Sequence, residues 1–173
     1  MRRSAAAIGS AVFFVVAPCV VAGLVPWIIS GWQIRRPLSP VAIAPMTLGG
    51  VLLVLAIVAL VRAFARFVIE GRGTPAPVAP TERLVVGGEY RFVRNPMYLA
   101  VVTAVLGQAM IFGSVALLLY AITVWAVTAM FVRWYEERVL LERYGDEYER
   151  YCQAVRAWVP RLHPWQADSD RDS

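Results

Sequence analysis

Four stretches of this sequence carry no charged side chain: residues 5–29, 41–61, 97–112 and 115–132. A helix crossing a bilayer needs about 20 mostly apolar residues, because in lipid its backbone groups are satisfied only within the segment. The stretches at 5–29 and 41–61 meet that length. The one at 97–112 is short and must borrow residues before Pro96 or cross where the protein is thin. Composition agrees: hydrophobic residues make up 59% of the chain and the mean hydropathy is +0.59, beyond an ordinary soluble domain, where about half the residues are apolar. The expected fold is all-α, a polytopic membrane protein of about four transmembrane helices in two hairpins, with a C-terminal amphipathic helix. Residues 1–165 read as a single membrane domain.

Met1-Arg2-Arg3 before an apolar run mimics a secretory signal. The run at 5–29 is longer than a signal's apolar region and lacks a cleavage motif, so it reads as a retained first span, with Pro18 as the expected kink. All 17 basic residues are arginines, and most flank the apolar stretches as membrane-edge anchors, which argues against nucleic acid as the partner of the net +5 charge. Six arginines, Arg62, Arg66, Arg72, Arg83, Arg91 and Arg94, lie between the second and third stretches, and seven follow the fourth. Because arginines near span ends accumulate in the cytoplasm, both termini and the loop 62–96 are expected to be cytosolic.

Within that loop, residues 71–80 hold Gly71, Gly73, Pro75, Pro77 and Pro80, a connector that cannot continue a helix. Gly113-Ser114 between the last two stretches predicts a tight helical hairpin. The segment 133–158 reads as cytosolic helices. There Tyr144, Tyr148, Tyr151 and Val155 recur at helical spacing, the pattern of an amphipathic helix lying on the membrane or folded back on the core. The polar tail 166–173 is expected to be disordered.

One histidine, His163, and two distant cysteines, Cys19 and Cys152, cannot supply a zinc shell, so no metal site is expected. A serine–histidine hydrolase fails for the same reason, and no glycine-rich dinucleotide or phosphate loop is present. Two clusters remain: residues 90–98, entering the third stretch, and Arg133-Trp134-Tyr135-Glu136-Glu137-Arg138, leaving the fourth. The hairpin brings both to one membrane face. A membrane anchor and a solvated charge run account for them separately, but adjacent carboxylates at a bilayer edge are costly unless paired, and the facing cluster supplies arginines. On a helix Glu136 and Glu137 diverge, one looking inward while the other pairs with Arg133, Arg138 or Arg94.

The order and spacing of Gly73-Thr74-Pro75-Ala76-Pro77, Leu84-Val85-Val86, Gly88, Tyr90-Arg91 and Val93-Arg94-Asn95-Pro96-Met97-Tyr98 resemble the isoprenylcysteine carboxyl methyltransferase and phospholipid methyltransferase superfamily. The resemblance continues through Glu136-Glu137, Leu140, Tyr144-Gly145, Tyr148, Tyr151, Val155 and Trp158-Val159-Pro160. It implies S-adenosylmethionine as methyl donor, in a cytosolic-side pocket lined by Arg94, Asn95, Pro96, Tyr98, Glu136 and Glu137, with Tyr90 and Leu99 adjacent. Asn95 stands where many relatives carry histidine, and Ala129 lies where some carry another. An amide donates and accepts hydrogen bonds but cannot act as a general base.

Methyl transfer from a sulfonium is a direct displacement, so the protein's task is to align the nucleophile and exclude water. Under the resemblance, Arg94 would clamp the cofactor's carboxylate, while Glu136 or Glu137 would accept from its ribose or amino group. The acceptor would be a lipid or another lipophilic small molecule reaching the site from the membrane. The missing histidine favours a carboxylate acceptor, already ionised at neutral pH, which Arg133 or Arg156 would hold. Two other readings stay open: an NAD(P)H-dependent membrane reductase, because sterol reductases share a similar arginine-proline-tyrosine pattern, and a non-catalytic lipid-binding membrane protein.

Overall fold

The structure, a computed structural model, describes residues 16–34, 39–71 and 84–166. Residues 5–15 of the first apolar stretch, most of the connector at 71–80 and the tail beyond Gln166 lie outside these. The described residues form helices and no strand: α1 (Val16–Ser30), α2 (Pro40–Gly71), a short 3₁₀ turn (Gly88–Arg91), α3 (Pro96–Phe112), α4 (Val115–Tyr144) and α5 (Asp146–Ala154). Among them two helices are long and apolar enough to cross a membrane, along Pro40–Arg66 and Val115–Tyr144, while α1 and α3 are shorter apolar helices.

Helix α3 lies at the centre. Ten of its residues, from Pro96 to Ala109, are buried, whereas α2 and α4 turn residues such as Val54, Ile57, Leu119 and Val127 outward. A helix apolar all round is one enclosed by protein or lipid, and small residues let α3 approach α2 closely. A Cβ added at Gly49 would lie 2.5 Å from the Gly107 carbonyl oxygen, and one added at Gly107 would lie 2.7 Å from the Gly49 oxygen. The two backbones therefore touch, the contact by which helices associate in lipid.

Gly113 makes the α3–α4 hairpin. It takes the left-handed conformation (φ +62°) that favours glycine, and Ser114 Oγ then caps α4 by accepting from Leu117 N at 3.3 Å. On α1, the turn Val20–Leu24 widens to a π-turn, in which Val25 N–H donates to the Val20 carbonyl. This frees the Val21 carbonyl, and Pro26, lacking an N–H, frees that of Ala22. Tyr120 Oη donates to the first at 3.0 Å and Gln108 Nε2 to the second at 2.7 Å. The distortion thus lies beside Pro26 rather than at Pro18, and α3 and α4 satisfy it.

On the arginine-rich side, α2 continues past its apolar stretch, so that buried Ala63 packs with Val85, Tyr90 and Met97. Gly145 (φ +52°) then breaks the chain between α4 and α5. Tyr148 and Tyr151 of α5 and Val155 just after it pack against Leu84, Val86 and Tyr144, so this amphipathic helix folds back on the core. After it, residues 156–165 run as a strap along residues 91–94, with Arg94 N donating to Arg156 O (3.0 Å), Arg161 N to Phe92 O (2.8 Å) and Trp165 N to Arg91 O (3.0 Å). Trp158 on the strap meets Trp125 of α4 edge-to-face, with ring centroids 6.3 Å apart.

Candidate functional site

The start of α3, the end of α4, α5 and the strap converge on Arg94. The following X-Pro pair fixes the geometry: Pro96 occupies the first turn of α3, where its missing N–H costs nothing, and holds Asn95 out of the helix at φ −117°, ψ 57°. Arg94 is thereby placed just before the helix, its side chain 15% exposed. Its Nη1 lies 3.1 Å from Glu137 Oε1, 2.7 Å from Cys152 Sγ and 3.3 Å from Tyr148 Oη. Its Nε is buried without a hydrogen-bond partner. Burial works against the Arg94 charge, but Cys152, Tyr148 and Glu137 outweigh it and hold the guanidinium above its usual range.

Both adjacent carboxylates reach the start of α3. Tyr98 Oη donates to Glu136 Oε2 at 3.2 Å, while Glu137 joins Arg94 to Arg133, whose Nη1 is 3.0 Å from Glu137 Oε2. Residues Val132–Glu136 form a second π-turn, and a wider turn reduces the angle between neighbouring side chains. An unbroken α-helix would separate the pair by about 100°.

Asn95 is buried, and its Nδ2 donates to the Ala157 carbonyl at 3.1 Å. Its side chain therefore fastens the strap. Tyr90 is buried beneath the cluster, its carbonyl accepting from Tyr151 Oη at 2.6 Å. Burial, reinforced by Tyr151, Glu136 and Tyr98, pushes the Tyr90 phenol well above its ordinary range, so it stays protonated. Burial likewise raises the phenols of Tyr148 and Tyr151. Leu99 turns toward α2 and lines an apolar groove there together with Pro96. Arg156 is exposed and contributes its backbone carbonyl to Arg94 N.

Of the residues singled out by sequence, the structure brings Arg94, Glu137 and Arg133 into one ion-pair network and sets the Tyr98–Glu136 pair beside it. Asn95 and Tyr90 buttress it from the strap and from below, and Leu99 faces elsewhere. Two members had not been assigned to the site, Tyr148 and Cys152. They lie at i and i+4 on the inner face of α5, and that spacing was the available signal.

Residues 44–147, from within α2 to the start of α5, match the phospholipid methyltransferase family. The chain belongs to this family. The match spans well over half the sequence and contains Arg94, Asn95, Tyr98, Glu136 and Glu137. The chain is also similar to the protein-S-isoprenylcysteine O-methyltransferase of Schizosaccharomyces pombe (strain 972 / ATCC 24843), at 32% identity over 80 residues. That stretch is 46% of this chain and 34% of the relative, so the chain spans about a third of the relative's length. Both comparisons agree with the resemblance drawn from the motifs. Tyr148, Cys152 and the strap lie beyond residue 147, where this family's match ends.

Proposed function

We propose that the protein transfers a methyl group from S-adenosylmethionine to a lipophilic acceptor at the cytosolic face of a membrane, through the site around Arg94. The observation that carries the reading is the half-used guanidinium: Nη1 is committed to Glu137, Cys152 and Tyr148, while Nε is buried and unpartnered. An unsatisfied buried donor on a charged group costs several kcal/mol as a rule, roughly 1–3 for a neutral group and more when charged. A ligand carboxylate on that edge would satisfy it by charge-assisted hydrogen bonds. The donor set therefore fits the cofactor's carboxylate, with Glu136 and Glu137 as acceptors for its amino or hydroxyl groups. The bound cofactor would supply an electrophilic methyl on a sulfonium. The chain's own work is to orient both reactants and exclude water, for which the strap over α4 is suited.

The phenols and the amide of the site are not poised as general bases. Tyr90 and Tyr148 are held protonated by burial, and the Asn95 amide is tied to Ala157. A carboxylate acceptor is the chemistry that dispenses with a base, because carboxyl groups ionise near pH 4. Arg133 and Arg156, both exposed, are suited to guide it. The arginine distribution favours four spans with both termini and this site on the cytosolic side.

Titration of the purified chain in detergent with S-adenosylhomocysteine and, separately, with NADPH tests this function. The proposal expects binding of the first, lost in Glu137→Ala. Saturable binding of NADPH without S-adenosylhomocysteine would replace it with the reductase reading, and binding of neither would leave a non-catalytic membrane protein.

A further inference from the structure

The strap holds two apolar side chains outside the protein. Leu162 is 92% exposed and Val159 is exposed as well, although the backbone that carries them is fastened on both sides. Arg161 N donates to Phe92 O and Trp165 N to Arg91 O, and Arg161 Nη1 donates to the Ala154 carbonyl at 2.7 Å. Pro160 and Pro164 bracket Leu162 and restrict the chain there further. The leucine is therefore presented by an ordered turn, and in water its apolar surface would be left in the solvent that disfavours it.

The place of this turn in the fold gives it a partner. Trp158 meets the ring of Trp125, which lies inside the uncharged stretch of α4, eight residues before Arg133. That separation is about 12 Å along a helix at 1.5 Å per residue. Around Trp125, Ile122 and Val127 are exposed apolar residues. On its other side the strap follows Phe92, which is exposed and borders the same apolar surface as exposed Leu55 of α2. The turn thus continues the apolar girdle of α2 and α4, whereas the outer face of α5 carries Asp146, Glu147, Glu149 and Arg150. Between Val155 and Gln166 the sequence has arginines at 156 and 161 and no acidic residue, which suits the layer of lipid phosphates. The hydrocarbon centre would be too deep, because backbone groups outside a helix are costly there.

We infer that the tip of the strap, residues 158–162, seats in the membrane leaflet on the arginine-rich side of the protein. Val159 and Leu162 enter the boundary between headgroups and acyl chains, and Trp158 lies at headgroup level beside Trp125. The partner is the lipid bilayer itself. The inference rests on the reading of α4 as a span and is independent of methyl transfer.

Photo-crosslinking of the full chain in phosphatidylcholine nanodiscs tests it, with p-benzoylphenylalanine incorporated singly at Leu162, Val159, Val127 or Glu147 and lipid adducts read by mass spectrometry. Val127, exposed on α4, reports the span, and Glu147, exposed on α5, reports water. Adduct yields at Leu162 and Val159 are expected within about threefold of that at Val127 and at least about tenfold above that at Glu147. Yields at Leu162 and Val159 no higher than at Glu147, beside a high yield at Val127, would overturn the seated tip and leave the span intact. A low yield at Val127 as well would overturn both together. Adducts with a second copy of the chain in place of lipid would also overturn the inference and make the tip a contact between subunits. Should the protein with the probe at Leu162 fail to fold, the yield at Val159 decides on its own.

Discussion

Gln108, near the far end of α3, and Arg94, just before its start, are both largely enclosed polar side chains, and their surroundings treat them differently. Gln108 is fully committed: Nε2 donates to the carbonyls of Ala22 and Ala104, and Oε1 accepts from Trp32 Nε1 at 3.2 Å. Arg94 crowds three acceptors onto Nη1 and leaves Nε buried and unpartnered. A satisfied buried amide is a structural fastener, whereas a buried cation with an unpartnered donor is the feature on which the proposed cofactor site rests. The far end of α3 is thus scaffold, and the near end carries the proposed site.

Substitutions at the two ends should separate stability from binding. The largest loss is expected at the scaffold's tightest point. Gly107→Leu forces a side chain against the Gly49 backbone and should cost about 3 kcal/mol or more, read as loss of monodisperse protein in detergent. Next comes Gln108→Leu, which leaves the Ala22 carbonyl and the Trp32 indole without partners. Its expected cost is about 2 kcal/mol, or roughly 4–8 °C in Tm, with affinity for S-adenosylhomocysteine unchanged. A fall in affinity as large as the fall in stability would break the distinction between the two ends.

Asn95→Ala lies between these regions, because its amide fastens the strap to the site. It should cost about 1 kcal/mol and weaken S-adenosylhomocysteine by several-fold, with faster proteolysis after Ala154. The smallest effect is expected for Arg133→Ala. Its side chain is 77% exposed, and Glu137 retains Arg94, so stability should change by less than about 0.5 kcal/mol in a scan at 0.15 M salt.

The sequence made the scaffold legible where local chemistry decided it. The uncharged stretches mark α2, α3 and α4, and Gly113-Ser114 marks the hairpin. Arg94 and Glu137 were legible because oppositely charged residues at one bilayer edge need one another. The π-turn that carries Glu136 and Glu137 to the same helix start was not, since it rests on one extra residue per turn rather than on a residue type. Nor was the strap. Its bonds to Arg91, Phe92 and Arg94 join backbone to backbone across more than sixty residues, and Pro160 and Pro164 reveal only that no helix continues there. The role of α5 fell between these cases: its periodicity was plain, but whether its tyrosines met lipid or core depended on Leu84 and Val86.

The idle edge of Arg94 is the point on which the account turns, and Arg94→Lys probes it most directly. Lysine keeps the charge near Glu137 but lacks the planar fork. Titrated with S-adenosylhomocysteine beside the wild-type chain, this variant should bind about 30-fold or more weakly while Tm shifts by no more than about 3 °C. Wild-type affinity in a folded Arg94→Lys protein would contradict the assignment of that edge to the cofactor.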